Sequence, residues 1–342
     1  MPAARITDEE FISAWKRTGS PAALAKMFGM DIRGIYARRN RIEGKLGIVL
    51  DRAENTNRGR PKAHVDRIGH RITLDIPDGV VVIFGDAHYW PGDRSVAHQA
   101  LCQIIKDLKP DVIVCNGDAF DGARISRHPV TSWAKMPEVV DELAYCQEML
   151  GEIASLAPEN AKLVWNMGNH DTRFSARLAQ MAGEYVGVHG TDLPDHFPSW
   201  NFAWSTQVND DTIIKHRWHN GVHATWNNTL KSGFHIFTNH IHRLCITPIT
   251  DYRGRRYGVD CGTLSDFGPS VDKFVYGEDN PFNWGSGFAV ASFQRGKLLP
   301  PELVVVQDGM CYFRGKVINP HTVKVSPKSA IKDMPNEKRK VA

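Results

Sequence analysis

Three apolar runs in this chain each stop at a cluster of metal-type ligands. VVVIF leads into Gly85-Asp86-Ala87-His88, DVIVC into Asn116-Gly117-Asp118, and KLVW into the Gly168-Asn169-His170-Asp171 group. Two further clusters follow in order: a His-rich stretch around His216, then His240 and His242 in NHIH. A continuous apolar run reads as a strand buried on both faces. Oxygen and nitrogen donors at the ends of such strands fall on loops at one edge of a sheet, where they can converge on metal. This feature restricts both the fold and the chemistry more than any other.

Between residues 72 and 200 the apolar strands alternate with amphipathic helical stretches, SVAHQALCQIIKDLKP and MPEVVDELAYCQEMLGEIASLAP among them. Repeated βα units predict an α/β sheet. Beyond residue 200 the helical pattern thins out, and TIIKHRW, HIFTNHIH, ITPITDY, GFAVASFQ and LLPPELVVVQDGMCYF read as strands. The expected architecture is therefore α/β, a two-sheet β-sandwich flanked by helices. A length of 342 residues, 42% hydrophobic, suits one large domain plus a small one. No stretch approaches the ~18 apolar residues of a membrane span, so no membrane association is expected. Six scattered Cys without a CxxC pair, and an N-terminus without an apolar signal core, suit a cytoplasmic protein with reduced thiols.

The overall charge of +4 hides an asymmetry, because residues 1–71 carry 15 Lys+Arg against 8 Asp+Glu. Residues 1–48 read as a small all-α domain of three helices. Thr7 and Glu10 form a capping box, Ser20 with Pro21 opens the second helix, Gly29 ends it, and Asp31 caps the third. Ala25, Gly29 and Ile35 have helix-turn-helix spacing, with Leu24, Phe28, Met30 and Ile32 as further core positions. The third helix would then offer Arg33, Tyr36, Arg38 and Arg39 to nucleic acid. An ordinary three-helix bundle is the plainer alternative. Residues 49–71 read as a basic linker, in which Arg58 and Arg60 of NRGRPK also match a minor-groove-binding AT-hook. Residues 72–316 would form the main domain and residues 317–342 a basic tail.

The ordered set Asp86-x-His88, Gly117-Asp118, Gly168-Asn169-His170-Asp171, a central His and His240-x-His242 resembles the calcineurin-like metallophosphoesterase superfamily. The resemblance implies a metal-dependent phosphoesterase whose two divalent ions lie ~3.5–4 Å apart. Asp86, His88 and His242 would hold one ion and Asp118 would bridge. Asn169, His240 and the central His would hold the other. A metal-bound hydroxide would attack phosphorus, with His170 as the acid and Asp171 orienting it. Mixed oxygen and nitrogen ligands suit Mn first, with Fe, Ni or Zn as alternatives. For the central His, His216 is the first choice, followed by His223 and His219. Asn239 stands where the family usually has Gly, which suggests a left-handed backbone there.

Protein phosphatases of this superfamily carry Asp-Arg after the second motif and GNHE in the third. Here Gly122 occupies the Arg position, and the third motif is GNHD. Loss of that bidentate cation tilts the expectation toward phosphodiesters of nucleic acids or nucleotides, including 2′,3′-cyclic phosphates. The alternative is a phosphomonoesterase or Ser/Thr protein phosphatase. Arg127, His128 and Arg173 are candidate substrate contacts, with Arg124 and Ser126 beside them. The aromatic residues of HFPSWNFAW fit either a base-stacking wall or ordinary core. A small helix-turn-helix domain ahead of this catalytic body resembles phosphoesterases encoded by bacteriophages, which would place the protein in host cytoplasm. A DNA-binding regulator with a degenerate phosphoesterase body is a third reading, disfavoured by the intact ligand set.

Overall fold

A computed structural model describes residues 6–18, 20–48, 50, 68–92, 94–127, 136–267 and 283–318. The chain divides into two compact units, Met1–Lys62 and Ala63–Ala342. Arg58, Arg60 and His128 lie outside the described residues.

The first unit holds helices α1 (Asp8–Thr18), α2 (Pro21–Phe28) and α3 (Ile32–Leu46). Their boundaries follow from capping. Thr7 and Glu10 bond reciprocally, Ser20 accepts from the Ala23 amide, and Asp31 accepts from the Arg33 amide. Gly29, at φ +61°, ends α2. Phe11, Trp15, Leu24, Ile35 and Ile42 form the buried core, each stabilising the unit by about 1.5–3 kcal/mol. Ile32, expected in that core, is instead exposed at the first turn of α3.

Two of the four side chains of α3 proposed for nucleic acid turn inward. Arg38 lies over the Phe11 ring and bonds to Asp8 and to the Ile6 carbonyl. Arg39 lies over Trp15 and pairs with Glu43. The bundle holds both guanidiniums, so neither points at a partner as the sequence reading expected. Arg33 is exposed and Tyr36 is half-buried.

In the second unit the first strand begins at Ile68, inside the stretch read as linker, and the last ends at Ile318. The strands and helices run β1 (Ile68–Gly69), β2 (Ile72–Leu74), β3 (Gly79–Phe84), α4 (Val96–Leu108), β4 (Val112–Cys115), α5 (Val139–Leu156), β5 (Lys162–Asn166) and α6 (Asp171–Met181). Then come β6 (Asn201–Ala203), β7 (Thr206–Val208), β8 (Thr212–Ile214), α7 (Ala224–Ser232), β9 (His235–Thr238), β10 (Leu244–Asp251) and β11 (Gly254–Cys261). The chain closes with β12 (Ser286–Gln294), β13 (Lys297–Leu298), β14 (Glu302–Gln307), β15 (Met310–Phe313) and β16 (Lys316–Ile318). Among the described residues, the strand-rich reading of the second half missed helix α7 and the strands β6, β7 and β11.

Among the described residues the strands make two mixed sheets. One runs β1-β6-β5-β4-β3-β12-β14-β15-β16, with β13 on β12, and the other β10-β11-β9-β8-β7-β2. Alternation along each strand sends side chains to opposite faces. Val81, Ile83, Val112, Val114 and Val164 face Phe237, Val259 and Ile214 of the second sheet. Val82, Phe84, Ile113, Cys115 and Trp165 face the helices. Both faces are covered, which is why these strands read as unbroken apolar runs. Phe197, Trp200 and Phe202 pack on Trp165 and belong to the core, whereas Trp204 is exposed.

Candidate metal centre

Strands β3, β4 and β5 are parallel neighbours, as are β8 and β9 in the other sheet. Their carboxyl ends supply every Asp, Asn and His ligand candidate. Backbone geometry at these ends is unusual: Asp86, His88, Asp118, His240 and His242 all have positive φ, between 43° and 77°. Left-handed backbone in non-glycine residues costs about 1 kcal/mol or more each and concentrates where side chains must be aimed. The expected left-handed residue in the last motif is therefore His240 rather than Asn239. The motif glycines answer to close approach: a Cβ on Gly168 would lie 2.0 Å from Asp118 Oδ1, and one on Gly117 2.5 Å from His216 Nδ1.

Among the described residues four groups of side chains could hold a metal ion, and two of them draw ligands from both sheets. In the first, Asp86, His88 and His242 bring donor atoms within 4.8 Å of one another. Asp86 Oδ2 accepts from the His240 amide, and its Oδ1 is buried without a hydrogen-bond partner. That oxygen stands 3.5 Å from His242 Nε2, which in turn is 3.3 Å from His88 Nε2. A buried carboxylate oxygen with no donor, beside two imidazole nitrogens, fits a divalent cation.

In the second group, Asp118, His216 and His240 converge. Asp118 Oδ2 lies 3.1 Å from His216 Nε2, and Asn169 Oδ1 lies 3.2 Å from the same nitrogen. His216 Nδ1 donates to the Asn116 carbonyl, which leaves Nε2 for the centre. Of the three candidates, His216 alone enters a ligand group: His223 is exposed, and His219 is half-buried beside Asn228.

Charge fits the same picture. Burial and the neighbouring imidazolium of His216 push His240 down to about 4. Burial lowers His88 likewise to about 4, against the pull of Asp121. Burial also opposes a charged His216, but Asp118 overrides it and raises the imidazole to about 9. Asp118 shifts downward in concert, which makes a carboxylate–imidazolium pair whose Nε2 proton would have to leave for an ion to bind.

Two more carboxylates sit behind the ligands, and the orienting role expected of Asp171 falls to Asp121, which the sequence reading did not single out. Asp171 touches no imidazole. It accepts from the amides of Gly168, Asp118 and Phe120 and from the Trp165 indole, clamping the β4 and β5 loops together. Asp121 does the orienting: its Oδ1 accepts from His170 Nδ1 at 2.7 Å and from His88 Nδ1 at 3.0 Å. Burial would raise Asp121, yet these two bonds hold it well below the carboxylate range. The signal was present as the second Asp of NGDAFD. A buried carboxamide ladder was also missed. Asn116 donates to Asn239, Asn166 to Asn116, and Asn239 to the Gly262 carbonyl. These three residues follow or end β4, β5 and β9, and they tie the sheets together beneath the centre.

A family model for calcineurin-like phosphoesterases matches residues 79–271. The chain belongs to that family. No curated protein matches the sequence significantly. Solved structures similar to this phosphoesterase include a single-site mutant of Vps29 from Entamoeba histolytica (13% identity, 70% of this chain and 99% of that one, TM-score 0.38). An archaeal phosphodiesterase (14%, 66% and 99%, 0.33) and the nuclease MPE of Pseudomonas putida (11%, 64% and 86%, 0.28) are also similar.

The phosphoesterase's remaining site candidates divide. Arg173 reaches the centre: it donates to the Asp121 carbonyl at 2.8 Å, and its Nη2 lies 3.2 Å from His170 Nε2. Gly122, at φ +63°, leaves the room, since a Cβ there would meet the Arg173 stem at 3.2 Å. Arg124 turns away to Glu138, at 2.6 Å, and Arg127 is exposed.

Proposed function

We propose that this phosphoesterase is a dinuclear phosphodiesterase acting on nucleic-acid or nucleotide phosphodiesters. Asp86, His88 and His242 would hold one divalent ion, and Asn169, His216 and His240 the other, with Asp118 shared. When bound, the ions supply a nucleophile from water at neutral pH and neutralise charge on the phosphoryl oxygens.

The chain's own residues do the rest. Asp121 fixes the His170 ring through Nδ1, so Nε2 faces the centre, 3.9 Å from Asp118 Oδ2. Burial lowers the His170 pKa, but the Asp121 bond and the charge of Asp118 outweigh it and raise the imidazole above its ordinary value. The proton on Nε2 can then pass to the leaving oxygen, leaving a neutral imidazole. Arg173 can only donate, so its contact with Nε2 becomes a hydrogen bond once that proton has left.

The observation that carries the diester reading is Gly122. The β4 loop presents no guanidinium at the position after Asp121, and Arg124 is paired outward. A monoanionic diester needs less positive charge than a dianionic monoester. Arg173 beside His170 is the feature that favours the monoester alternative. Comparing turnover of bis-p-nitrophenyl and mono-p-nitrophenyl phosphate in Mn²⁺ decides between them. The diester should be hydrolysed faster; faster monoester hydrolysis overturns the proposal. A panel of 2′,3′-cyclic nucleotides, DNA and RNA then narrows the substrate.

A further inference from the structure

We infer that the outer face of the second sheet is a track for single-stranded nucleic acid leading to the metal centre, an inference that rests on the phosphodiester reading above. Helix α7 lies on this face. Its Thr225 carbonyl occupies the space that a Cβ on Gly258 would need, at 2.2 Å, while the next residue, Val259, points into the core between the sheets. Ala224, Thr225, Asn228 and Thr229 are buried against the sheet. The opposite side of the helix carries Trp226 and Leu230, 45% and 46% exposed, and Val222, just before the helix, is 73% exposed.

The face has a near end and a far end. At the near end Trp218, 41% exposed, follows His216 by two residues, with Lys215 Nζ 5.6 Å from its ring. Thr225 bonds Thr247 on β10, not far in sequence from His242. At the far end Gly233 closes α7 against Arg253, in the β10–β11 turn, where Tyr252 is fully exposed. The helix between spans about 13 Å at 1.5 Å per residue.

Charge complementarity selects the partner. Residues 215–256 contain seven Lys and Arg against one acid, Asp251, whereas the rest of residues 72–342 are net negative. Arg217, Lys231, Arg253 and Arg255 are exposed. Arg256 alone of the turn cations is buried, paired with Asp251. Trp218 is already stacked on His219, so the exposed Trp226 indole among these exposed cations is the surface that suits a base stacked on an aromatic ring with phosphates alongside. Only unpaired bases can offer their faces in this way, so the strand is single. A second copy of this chain would bring the same cations face to face.

Fluorescence anisotropy of metal-loaded protein with a labelled, hydrolysis-resistant phosphorothioate oligonucleotide tests the track, with bis-p-nitrophenyl phosphate turnover measured in parallel. Trp226→Ala should weaken single-strand binding about tenfold. The double variant Arg253→Glu/Arg255→Glu should weaken it at least as much and flatten its salt dependence. Both should leave small-diester turnover unchanged, and both sites are exposed, so circular dichroism should show intact folding. Wild-type binding by both variants overturns the inference and leaves the diesterase reading intact. Preference for duplex, for anionic phospholipid vesicles, or self-association abolished by Trp226→Ala also overturns it. Oligonucleotide binding that needs these residues, with no diester turnover, would sustain the track and sink the diesterase reading.

Discussion

The two sheets approach the metal centre with different chemistry. The first sends buried carboxylates: Asp86, Asp118, Asp121 and Asp171, each held by backbone amides, imidazoles or both. The second sends imidazoles: His216, His240 and His242. Each ligand group draws on both sheets, Asp86 and His88 with His242, and Asp118 with His216 and His240. The carboxylates are fixed by the fold itself, while the imidazoles complete pockets that ions would close. Carboxylate charge is thus pre-positioned on one sheet, and bound ions would add a further link to the other, beside the Asn116–Asn239 and Asp86–His240 hydrogen bonds.

The largest test of that division falls on the shared carboxylate. Asp118→Ala should lower turnover on the order of a thousandfold; loss of less than tenfold in steady-state assays would remove it from the shared position. Asp121→Asn should lower kcat roughly ten- to hundredfold. The deficit should be greater for substrates with a poor leaving group than for p-nitrophenolate, because Asp121 acts through the acid His170. Equal deficits for both leaving groups would make Asp121 merely structural. Chelation should lower thermal stability, by about 2.7 kcal/mol relative to protein with free metal at a hundred times its dissociation constant. An unchanged melting curve would deny that ions join the sheets.

The smallest effect concerns Asp260 on β11. Its carboxyl is fully buried, and burial, aided by the charge of Asp86, pushes its pKa well above 3.8 against the neighbouring Gly262 amide. A raised native pKa means that the folded chain keeps a proton the unfolded chain has lost. The group therefore costs nothing at low pH and progressively more as pH rises above 3.8. Asp260→Asn should stabilise the protein by about 1–3 kcal/mol near pH 8, and the gain should vanish near pH 4. A gain that does not vary with pH would contradict this reading.

The first sheet was far more legible than the second. Its strands are apolar on both faces and each ends in a ligand motif, so β3, β4, β5 and their loops followed from the sequence. The second sheet's strands are short, and α7 has the sequence ATWNNTLKS, whose Thr and Asn residues hide a helix that owes its place to packing on Gly258. His216, His219 and His223 look alike in sequence. Only the Asn116 carbonyl, one hundred positions away, gives His216 its orientation. The resemblance gave Asp171 the task of orienting His170, whereas its carboxylate is taken up by the Gly168, Asp118 and Phe120 amides and the Trp165 indole. Arg38 and Arg39 looked like nucleic-acid ligands because sequence shows charge but not the Phe11 and Trp15 rings beneath it.

The central claim is a pair of metal pockets, each completed by an imidazole of the second sheet. Metal content per chain, measured by inductively coupled plasma mass spectrometry after Mn²⁺ loading and desalting, tests it most directly. Wild type should hold two ions, and His242→Ala and His216→Ala about one each. A single ion in wild type, or two ions retained by both variants, would contradict it.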